Sequence, residues 1–566
     1  MVDTRERARG AMRYGKVRAL VLATAVTGLM GAASGIGSPA GSPGPTTQAT
    51  FTAQGVSVKR LTAATQMTKD YPAARAFTGP TDMLADPGDP RIIVAATADL
   101  RTRICYLLRS NDGGHIWHIM PNVPALLAYP YCTTADNAGA TQAAIAWGSN
   151  NTLYYALGGY GNGEGGSDGH TSVLLARSTD LGKTWSTVVV DNNRGKTGVA
   201  PADSGVTGLA VDTSGPRDVV YVGFMQRYRT APKDSPLQNG AAVVAVSTDG
   251  GATFARQVNI NDFSHVTQTV AGQNVPLIMQ SYFGGPWMVA HNGVVEAVSG
   301  AQTTYKYNVS GTGGSAMPQL VARSTDQGRT WSVTTLGPPV FTGTGSQTGI
   351  GWTPKGGPRG TFLAAYAGTP ATSGSSGSAN ILLQRSTDDG QTWSDPVIID
   401  DDDPAQGFTS FYPQLGVAPN GRIDVVWQDN RDQHDYHFQV QYTFSTDGGA
   451  TWAHNVAVTD QPINFGLGVS YNSDIRQPPG VASADQYAAF GWADTRLGDD
   501  TTQTQDDFGA TAQFAPLPAA GSTLLPVLAA VFSGLAVAGI VLLLILLIWR
   551  RQGVGPQPAI EQPAPL

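Results

Sequence analysis

The sequence predicts an all-β fold built from repeated four-stranded sheets, and three observations support this prediction. A short box of the pattern S-x-D-x-G-x-x-[WF] occurs six times. The aspartates of the six boxes lie 59 to 77 residues apart, a period that suits small sheets with irregular loops better than helical solenoids. The chain contains 69 Gly and 36 Pro, and residues 56–515 show β-branched runs with almost no helical periodicity.

The box itself predicts a tight hairpin. Its Ser and Asp side chains can hydrogen-bond neighbouring backbone N–H groups, and its Gly can adopt a positive φ without steric cost. The final Trp or Phe begins the next strand and can fill the gap between adjacent sheets. A catalytic centre is needed once, so a stretch that occurs six times is predicted to be scaffold. The structural residues are Ser110, Asp112, Gly114, Trp117, Ser178, Asp180, Gly182, Trp185, Ser247, Asp249, Gly251, Phe254, Ser324, Asp326, Gly328, Trp331, Ser386, Asp388, Gly390, Trp393, Ser445, Asp447, Gly449 and Trp452.

Six such boxes resemble the Asp-box, or bacterial neuraminidase repeat, of the sialidase-like β-propellers. The resemblance covers residues 56–515, from RSNDGGHIW at 109–117 to FSTDGGATW at 444–452. It implies a β-propeller in which the boxes lie on one face. A ligand is then expected on the opposite face, where loops leave the second strand of each blade and connect the blades.

Counting strands favours seven four-stranded blades, with six as the alternative. The sixth unit contains four strands, at 412–419, 422–431, 438–445 and 452–459. After the last box only three remain, at 470–478, 486–496 and 507–514. Residues 56–62 are expected to supply the fourth strand, because this pairing closes the ring and removes exposed sheet edges.

The two ends predict an exported, membrane-anchored protein. Residues 1–38 carry basic residues before an apolar run and indicate a signal peptide, with an uncleaved N-terminal anchor as the alternative. Residues 39–55 and 516–523 are linkers. Residues 524–549 carry no charge and would span about 39 Å as a transmembrane helix. The arginines that follow place the tail 550–566 in the cytoplasm, so the propeller is expected to be extracellular.

Charge and cysteine content limit the partners. The formal net charge is −7 and basic clusters occur only near the termini, which argues against nucleic acid. Cys105 and Cys132 are the only cysteines, and export predicts that they form one disulfide. Two thiols without an adjacent histidine pair argue against zinc, and no cofactor is predicted. The acidic run at 400–403 could hold Ca²⁺, although a solvated acidic loop is the more common outcome.

Three loops on the expected ligand face begin alike, as ADLR at 98–101, QDNR at 428–431 and ADTR at 493–496. They place Arg101, Arg431 and Arg496 at equivalent edges of blades one, six and seven, which are neighbours around the ring. Converging guanidinium groups suit a sugar carboxylate, and sialidases use an arginine triad for this purpose. In the alternative, the aspartates of these loops, Asp99, Asp429 and Asp494, pair with the arginines two positions further on.

The resemblance also implies an Arg-Ile-Pro motif, a tyrosine nucleophile activated by a glutamate, and an aspartate acid/base. The nearest match to the motif, PRIIV at 90–94, has Ile93 in place of proline. Glu296 is a better candidate than Glu164, since a lone carboxylate on an apolar strand is costly unless it is paired. Several residues remain open as nucleophile, namely Tyr305, Tyr307 and Tyr471, or as acid/base, namely Asp99, Asp168, Asp432 and Asp435.

Two classes of function follow, with Arg101, Arg431, Arg496, Glu296 and Asp99 as the catalytic candidates. The first is an anchored exo-α-sialidase or related glycoside hydrolase that acts on glycans. The second is a non-catalytic propeller that binds glycan or protein at the cell surface. The seventh blade and the missing proline favour the second class.

Overall fold

A computed structural model of the chain contains a closed ring of seven antiparallel sheets, which confirms the prediction of seven blades. Among the residues that it describes, the only helices are the short 3-10 turns Ser149–Asn151 and Phe465–Leu467. The described residues are 52–53, 56–71, 76–80, 82–102, 104–121, 123, 143–159, 172–192, 205–226, 241–260, 267–270, 273–276, 279–280, 286–300, 302–303, 316–317, 319–336, 340–341, 348–370, 379–402, 409–431, 437–468 and 478–515.

Each blade is an antiparallel meander that runs from an inner first strand to an outer fourth strand. Blade 1 consists of Asp82–Ala85, Ile93–Asp99, Ile104–Ser110 and Trp117–Ile119. Blade 2 consists of Ala143–Trp147, Leu153–Gly159, Ser172–Ser178 and Ser186–Asn192. Blade 3 consists of Gly205–Asp212, Val219–Gln226, Ala241–Ser247 and Arg256–Asn259. Blade 4 consists of Trp287–His291, Val294–Gly300, Gln319–Ser324 and Ser332–Thr335. Blade 5 consists of Thr348–Thr353, Thr361–Pro370, Asn380–Ser386 and Val397–Ile398. Blade 6 consists of Ser410–Val417, Ile423–Asp429, His437–Ser445 and Val456–Ala457.

Blade 7 joins the two ends of the propeller. Its first three strands are Gly480–Ser483, Tyr487–Asp494 and Asp506–Gln513, and its fourth is the N-terminal strand Arg60–Leu61. Arg60 pairs with Gln513 and Leu61 with Ala512. The first strand begins at Gly480, later than the predicted 470–478, most of which lies outside the described residues. A Cβ at Gly480 would lie 2.3 Å from the carbonyl oxygen of Pro80.

The remaining strands are short. Thr65–Gln66 adds to the third strand of blade 7, and Ile463–Asn464 pairs with the third strand of blade 6. Val340–Phe341 pairs with the end of the second strand of blade 5, and Ala316–Met317 pairs in turn with Val340–Phe341. The others form small ribbons outside the blade meanders, and they are Thr52–Ala53, Val56–Ser57, Thr267–Val270, Gln273–Pro276, Met279–Gln280 and Gln302–Thr303.

The core is divided among the seven blade interfaces, with one cluster of buried apolar residues at each interface. Alternation along the strands explains this division, because successive side chains point to opposite faces of a sheet. In the second strand of blade 3, Val220, Val222 and Phe224 pack towards blade 2, whereas Tyr221 packs towards blade 4. The ring is therefore held by sheet-on-sheet packing around its whole circumference.

Each box forms the turn between the third and fourth strands of its blade. In blade 4, Ser324 donates to a carboxylate oxygen of Asp326 at 2.8 Å, and that oxygen accepts the N–H groups of Arg329 and Thr330. The Gly328 N–H donates to the Ser324 hydroxyl at 2.9 Å. The residue before the box glycine is also left-handed, which the sequence did not indicate. It is glycine in three boxes and Leu181, Gln327 or Asp389 in the others, with φ near 60°.

A side chain of the preceding blade donates a hydrogen bond to the backbone carbonyl of this left-handed residue in every box. Arginines supply four of these donors, and a tyrosine and a threonine supply the other two. The pairs are Thr511 with Gly113, Arg109 with Leu181, Tyr154 with Gly250, Arg256 with Gln327, Arg323 with Asp389, and Arg385 with Gly448. The boxes therefore link neighbouring blades as well as closing hairpins.

Candidate functional site

The face opposite the boxes is formed where second strands end and third strands begin, and the three D-x-R loops emerge there. Asp99, Asp429 and Asp494 each end the second strand of a blade, in blades 1, 6 and 7. The contact between the inner strands of blades 7 and 1 makes these three blades consecutive in the ring. The predicted placement of the loops is therefore observed.

Arg431 folds back onto carboxylates of its own surroundings. Its guanidinium donates to Asp429 at 2.9 Å and to Asp401 at 2.6 Å. The same Asp429 oxygen accepts the indole N–H of Trp427 at 3.0 Å and the hydroxyl of Ser410 at 2.9 Å. Burial alone would lower the pKa of Arg431, but its hydrogen bonds to Asp429 and Asp401 raise that pKa.

Arg496 is held in the same way. Its guanidinium donates to Asp494 at 2.7 Å and contacts Asp460 at 2.8 Å, and it lies 4.3 Å above the ring of Phe508. Asp494 also accepts the indole N–H of Trp492 at 2.9 Å. Blades 6 and 7 therefore share a Trp-x-Asp-x-Arg arrangement, in which the aspartate connects the tryptophan and the arginine.

Arg101 differs from the other two, because its guanidinium reaches blade 7. It donates to the carbonyl oxygens of Thr502 and Gln503. Asp99 instead accepts the hydroxyl of Tyr71 at 2.9 Å and that of Thr102 at 3.0 Å. Each of the three arginines thus has protein acceptors. This geometry favours the alternative in which the loops are structural, and a role in ligand binding or catalysis stays a prediction.

Glu296 lies near the box face, away from the D-x-R loops. It sits early in the second strand of blade 4, opposite Arg323, the residue that precedes the box serine. Its side chain is fully buried, and a Cβ on the box glycine of blade 5, Gly390, would lie 1.7 Å from its carboxylate. Arg323 Nε lies 3.5 Å from the Glu296 carboxyl group and favours its charged form, but burial outweighs this contact and raises the pKa of Glu296 to about 9. The equivalent position is Tyr221 in blade 3, Leu363 in blade 5 and Asp424 in blade 6, so the fold accepts both apolar and acidic side chains there.

A group of carboxyl groups between blades 5 and 6 includes two buried oxygens without hydrogen-bond partners on the ligand face. Asp400 accepts the N–H of Ile381 through one oxygen at 2.9 Å, while its other oxygen is buried without a hydrogen-bond partner. Asp402 also has one buried oxygen without a partner. Burial, together with Asp402, raises the pKa of Asp400 to about 7. Burial, together with Asp429, raises the pKa of Asp402 to about 6.

The described residues contain no group of three or more His, Cys, Asp or Glu side chains placed to hold a metal ion, and the Ca²⁺ hypothesis for the acidic run stays a prediction. Asp401 of this run instead binds Arg431 and accepts the N–H of Asn455 at 3.0 Å. Asp403 lies outside the described residues.

A row of half-exposed aromatic rings lies on the ligand face of blade 6. Phe411 and Phe438 meet edge to face with centroids 5.0 Å apart, and Phe438 stacks on Phe465 at 4.5 Å. A bulge in the first strand of blade 6 includes Tyr412, whose φ is 55°. The sequence patterns did not predict this row. The motif Phe-Tyr-Pro at 411–413 was the available signal, because a proline within an inner strand indicates a bulge.

Buried acids also occur between blades 7 and 1. Asp507 accepts the Gly79 N–H at 3.0 Å, and burial raises the pKa of its carboxyl group to about 8. Residues 76–80 cross here from blade 7 to blade 1, with Ala76 bridged to Gln505 and Phe77 to Asp99. Asp507 therefore fastens this crossing segment.

Several residues singled out in the sequence lie outside the described part of the chain, namely Cys132, Glu164, Asp168, Tyr305, Tyr307, Asp432, Asp435 and Tyr471. Cys105 is disulfide-bonded, and Cys132 is the other cysteine of the chain. Arg91, the arginine of the PRIIV stretch, is paired with Asp89 near the box face. The predicted signal and transmembrane segments also lie outside the described residues, as do the predicted linkers apart from Thr52–Ala53. Within those residues no helix is long and apolar enough to cross a membrane.

Comparison with known proteins gives structural likeness alone. No family model and no curated protein matches the chain. The solved structures that it resembles include a Hadza microbial sialidase, with 12% identity and a TM-score of 0.40 over 75% of this chain and 74% of the other. They also include an α-L-arabinofuranosidase of Fusarium graminearum, with 12% identity and a TM-score of 0.38 over 65% of this chain and 93% of the other.

A sialidase of Trypanosoma rangeli shows the same level of likeness, with 11% identity and a TM-score of 0.36 over 65% of this chain and 52% of the other. At these identities and TM-scores the likeness assigns neither a family nor an activity to the chain.

Proposed function

We propose that the chain is a membrane-anchored, extracellular propeller that binds a glycan or protein at the cell surface through the face opposite the boxes, without hydrolysing it. The pairing of Arg431 and Arg496 with carboxylates of their own surroundings supports this proposal. An arginine cluster that binds a sugar carboxylate needs free N–H donors, and these two guanidinium groups already have anionic acceptors. Glu296, the other main catalytic candidate, is buried near the box face.

Turnover assays test the proposal directly. Purified full-length chain should bind cells or immobilised glycans, yet release no fluorophore from sialoside, arabinofuranoside or hexoside substrates. Measurable release from any of these substrates, abolished by heat treatment, would contradict the non-catalytic assignment.

Display at the cell surface rests on the uncharged segment 524–549 and on the arginines that follow it. Protease added outside intact cells should release the propeller and leave a small membrane fragment that contains residues 524–551. Full protection of the propeller would mean that the orientation is wrong.

Glycoside hydrolysis is the second candidate, and one observation favours it. Glycosidases pair a protonated carboxyl group with a carboxylate, and the raised pKa values of Asp400 and Asp402 provide carboxyl groups that hold protons near neutral pH. If the chain hydrolyses a glycoside, replacing Asp402 by asparagine should abolish turnover. The same substitution at the exposed Asp395 should leave turnover unchanged.

A further inference from the structure

The aromatic row of blade 6, formed by Phe411, Phe438 and Phe465, is a surface suited to a cation or to the C–H face of a sugar. All three rings are partly exposed and lie edge to face or stacked in sequence. The faces of aromatic rings are electron-rich and attract ammonium groups, as in the aromatic cages that bind choline and methylated lysine. The backbone that presents the first ring is held in the left-handed region at Tyr412, a strained conformation of the kind found at binding sites.

Two carboxyl groups near this row, those of Asp400 and Asp402, each have one oxygen without a hydrogen-bond donor. Asp400 is only 7% exposed, so the oxygen that has no partner is an acceptor removed from bulk water. Asp402 adds a second unpartnered oxygen. A buried acceptor without a donor is costly, and a ligand that supplies donors would remove this cost.

Backbone contacts place the two features side by side. The N–H of Ser410 donates to the carbonyl of Ala379, and the Ile381 N–H donates to Asp400, so both segments flank the start of the same strand. Ser410 also donates through its hydroxyl to Asp429, and the next residue, Phe411, begins the aromatic row.

The charged groups near the row determine whether a cationic or an anionic ligand is attracted. The charged groups here are four carboxyl groups and one guanidinium group, namely those of Asp400, Asp401, Asp402, Asp429 and Arg431. Asp401 and Asp429 already form ion pairs with Arg431. The exposed His454 lies 3.5 Å from Asp401. An anionic sugar would meet repulsion here, whereas an ammonium group would be attracted.

From these contacts we infer that the ligand face of blade 6 binds a cationic amino sugar, with its ammonium and hydroxyl donors on Asp400 and Asp402 and its ring against the phenylalanine row. This inference rests on the proposed function, because it names the class of glycan that the binding face recognises.

Three trisaccharide probes test the inference by titration calorimetry on the full-length chain, namely the glucosamine trimer, its neutral N-acetylated form and sialyllactose. We expect binding of the glucosamine trimer and at least about tenfold weaker binding of the other two, the scale of one lost charge-assisted hydrogen bond. Equal binding of the neutral trimer, or tighter binding of sialyllactose, would overturn the inference. Equal binding of trilysine would overturn the assignment to a sugar.

Variants then locate the site. Asp402→Asn should weaken binding of the glucosamine trimer about tenfold or more, while Asp395→Asn, the same change at an exposed position of blade 5, should not. Phe465→Leu should also weaken binding and keeps the test open if the first variant does not fold. Unchanged affinity in both folded variants would place the site elsewhere and overturn the inference. The proposed function would survive that result, since turnover of a glycoside is the outcome that contradicts it.

Discussion

At the scale of single residues, the box aspartates show how a repeated side chain stabilises a turn. Hydrogen bonds from Thr184 and its neighbours lower the pKa of Asp180 to about 2. Burial alone would raise the pKa of Asp447, but hydrogen bonds from Thr451 and Ser445 outweigh it and lower the pKa to about 2. The hydrogen bonds of the folded turn therefore stabilise the ionised form of the box aspartate.

This geometry predicts acid sensitivity. An aspartate whose folded pKa is below its unfolded value of 3.8 stabilises the protein above pH 3.8, and that contribution is lost as the pH falls through about 2. We expect the melting temperature to fall between about pH 4 and about pH 2 in calorimetry. Asp447→Asn should lower the melting temperature at pH 6 and flatten the fall, whereas Asp395→Asn should do neither. An unchanged slope in the first variant would contradict the argument.

For Glu296 we expect the opposite dependence of folding stability on pH. Its folded pKa of about 9 is above the ordinary value of 4.5, so the unfolded chain loses this proton first and folding stability falls as the pH rises from about 4.5 to about 9. Glu296→Leu, which copies Leu363 of blade 5, should remove this fall and raise the melting temperature, most strongly at pH 8 to 9. A lower melting temperature at every pH would show that the carboxyl group contributes a favourable interaction there.

The residue scale is also where sequence reasoning about the site was weakest. The D-x-R repeats were visible, and their placement in neighbouring blades followed from repeat symmetry. The partners of each guanidinium were not visible, because Asp401 and Asp460 lie in separate loops that the fold brings to Arg431 and Arg496. Glu296 was expected on an apolar strand, but its end of the strand could be assigned only once the register with Arg323 was known.

At the scale of elements, the box arginines connect one blade to the next. Arg109 of blade 1 donates to the carbonyl of Leu181 in the box of blade 2 at 3.2 Å. Leu181 is left-handed, with a φ of 59°, and its carbonyl accepts the arginine across the blade interface. The sequence contained part of this signal, since Arg109, Arg323 and Arg385 each begin a box. The fourth arginine donor, Arg256, lies in a fourth strand, and a single chain pattern does not reveal an acceptor in the next repeat.

Removing one such arginine should weaken one interface. Arg109→Met keeps much of the apolar side chain but loses the charge-assisted hydrogen bond, so we expect the free energy of unfolding to fall by about 1.5–3 kcal/mol in chemical denaturation. Arg60→Met, the same change at an exposed residue of the outer strand of blade 7, should cost far less. Equal losses in the two variants would mean that the contact with Leu181 contributes little.

At the scale of the whole molecule, the count of six boxes for seven blades follows from how the ring closes. A box forms the turn between the third and fourth strands, and in blades 1 to 6 these strands are consecutive in the chain. In blade 7 the third strand, Asp506–Gln513, pairs with the N-terminal strand Arg60–Leu61, so no hairpin connects them. The sequence predicted this closure because three strands followed the last box, whereas the inner strand of blade 7 could not be placed by alternation alone.

Closure by hydrogen bonds instead of a covalent turn makes blade 7 the point where the ring should open first. The Thr62 N–H donates to the Thr511 carbonyl at 3.0 Å, and the Thr62 hydroxyl accepts the Thr511 N–H at 2.9 Å. Thr62→Pro removes both bonds, and at roughly 0.5–1.5 kcal/mol for each bond we expect a loss of about 1–3 kcal/mol. Ala63→Pro, at the exposed next residue, is the matched control.

Hydrogen exchange can show where the opening occurs. In Thr62→Pro, the backbone amides of 506–513 should exchange faster than in the parent chain, because the third strand of blade 7 becomes an edge strand that opens locally. Blades 3 and 4, on the far side of the ring, should exchange as before, since their fourth strands are held by covalent hairpins. Equal acceleration in all seven blades would mean that the ring unfolds as one cooperative unit and that its closure is no weaker than its hairpins.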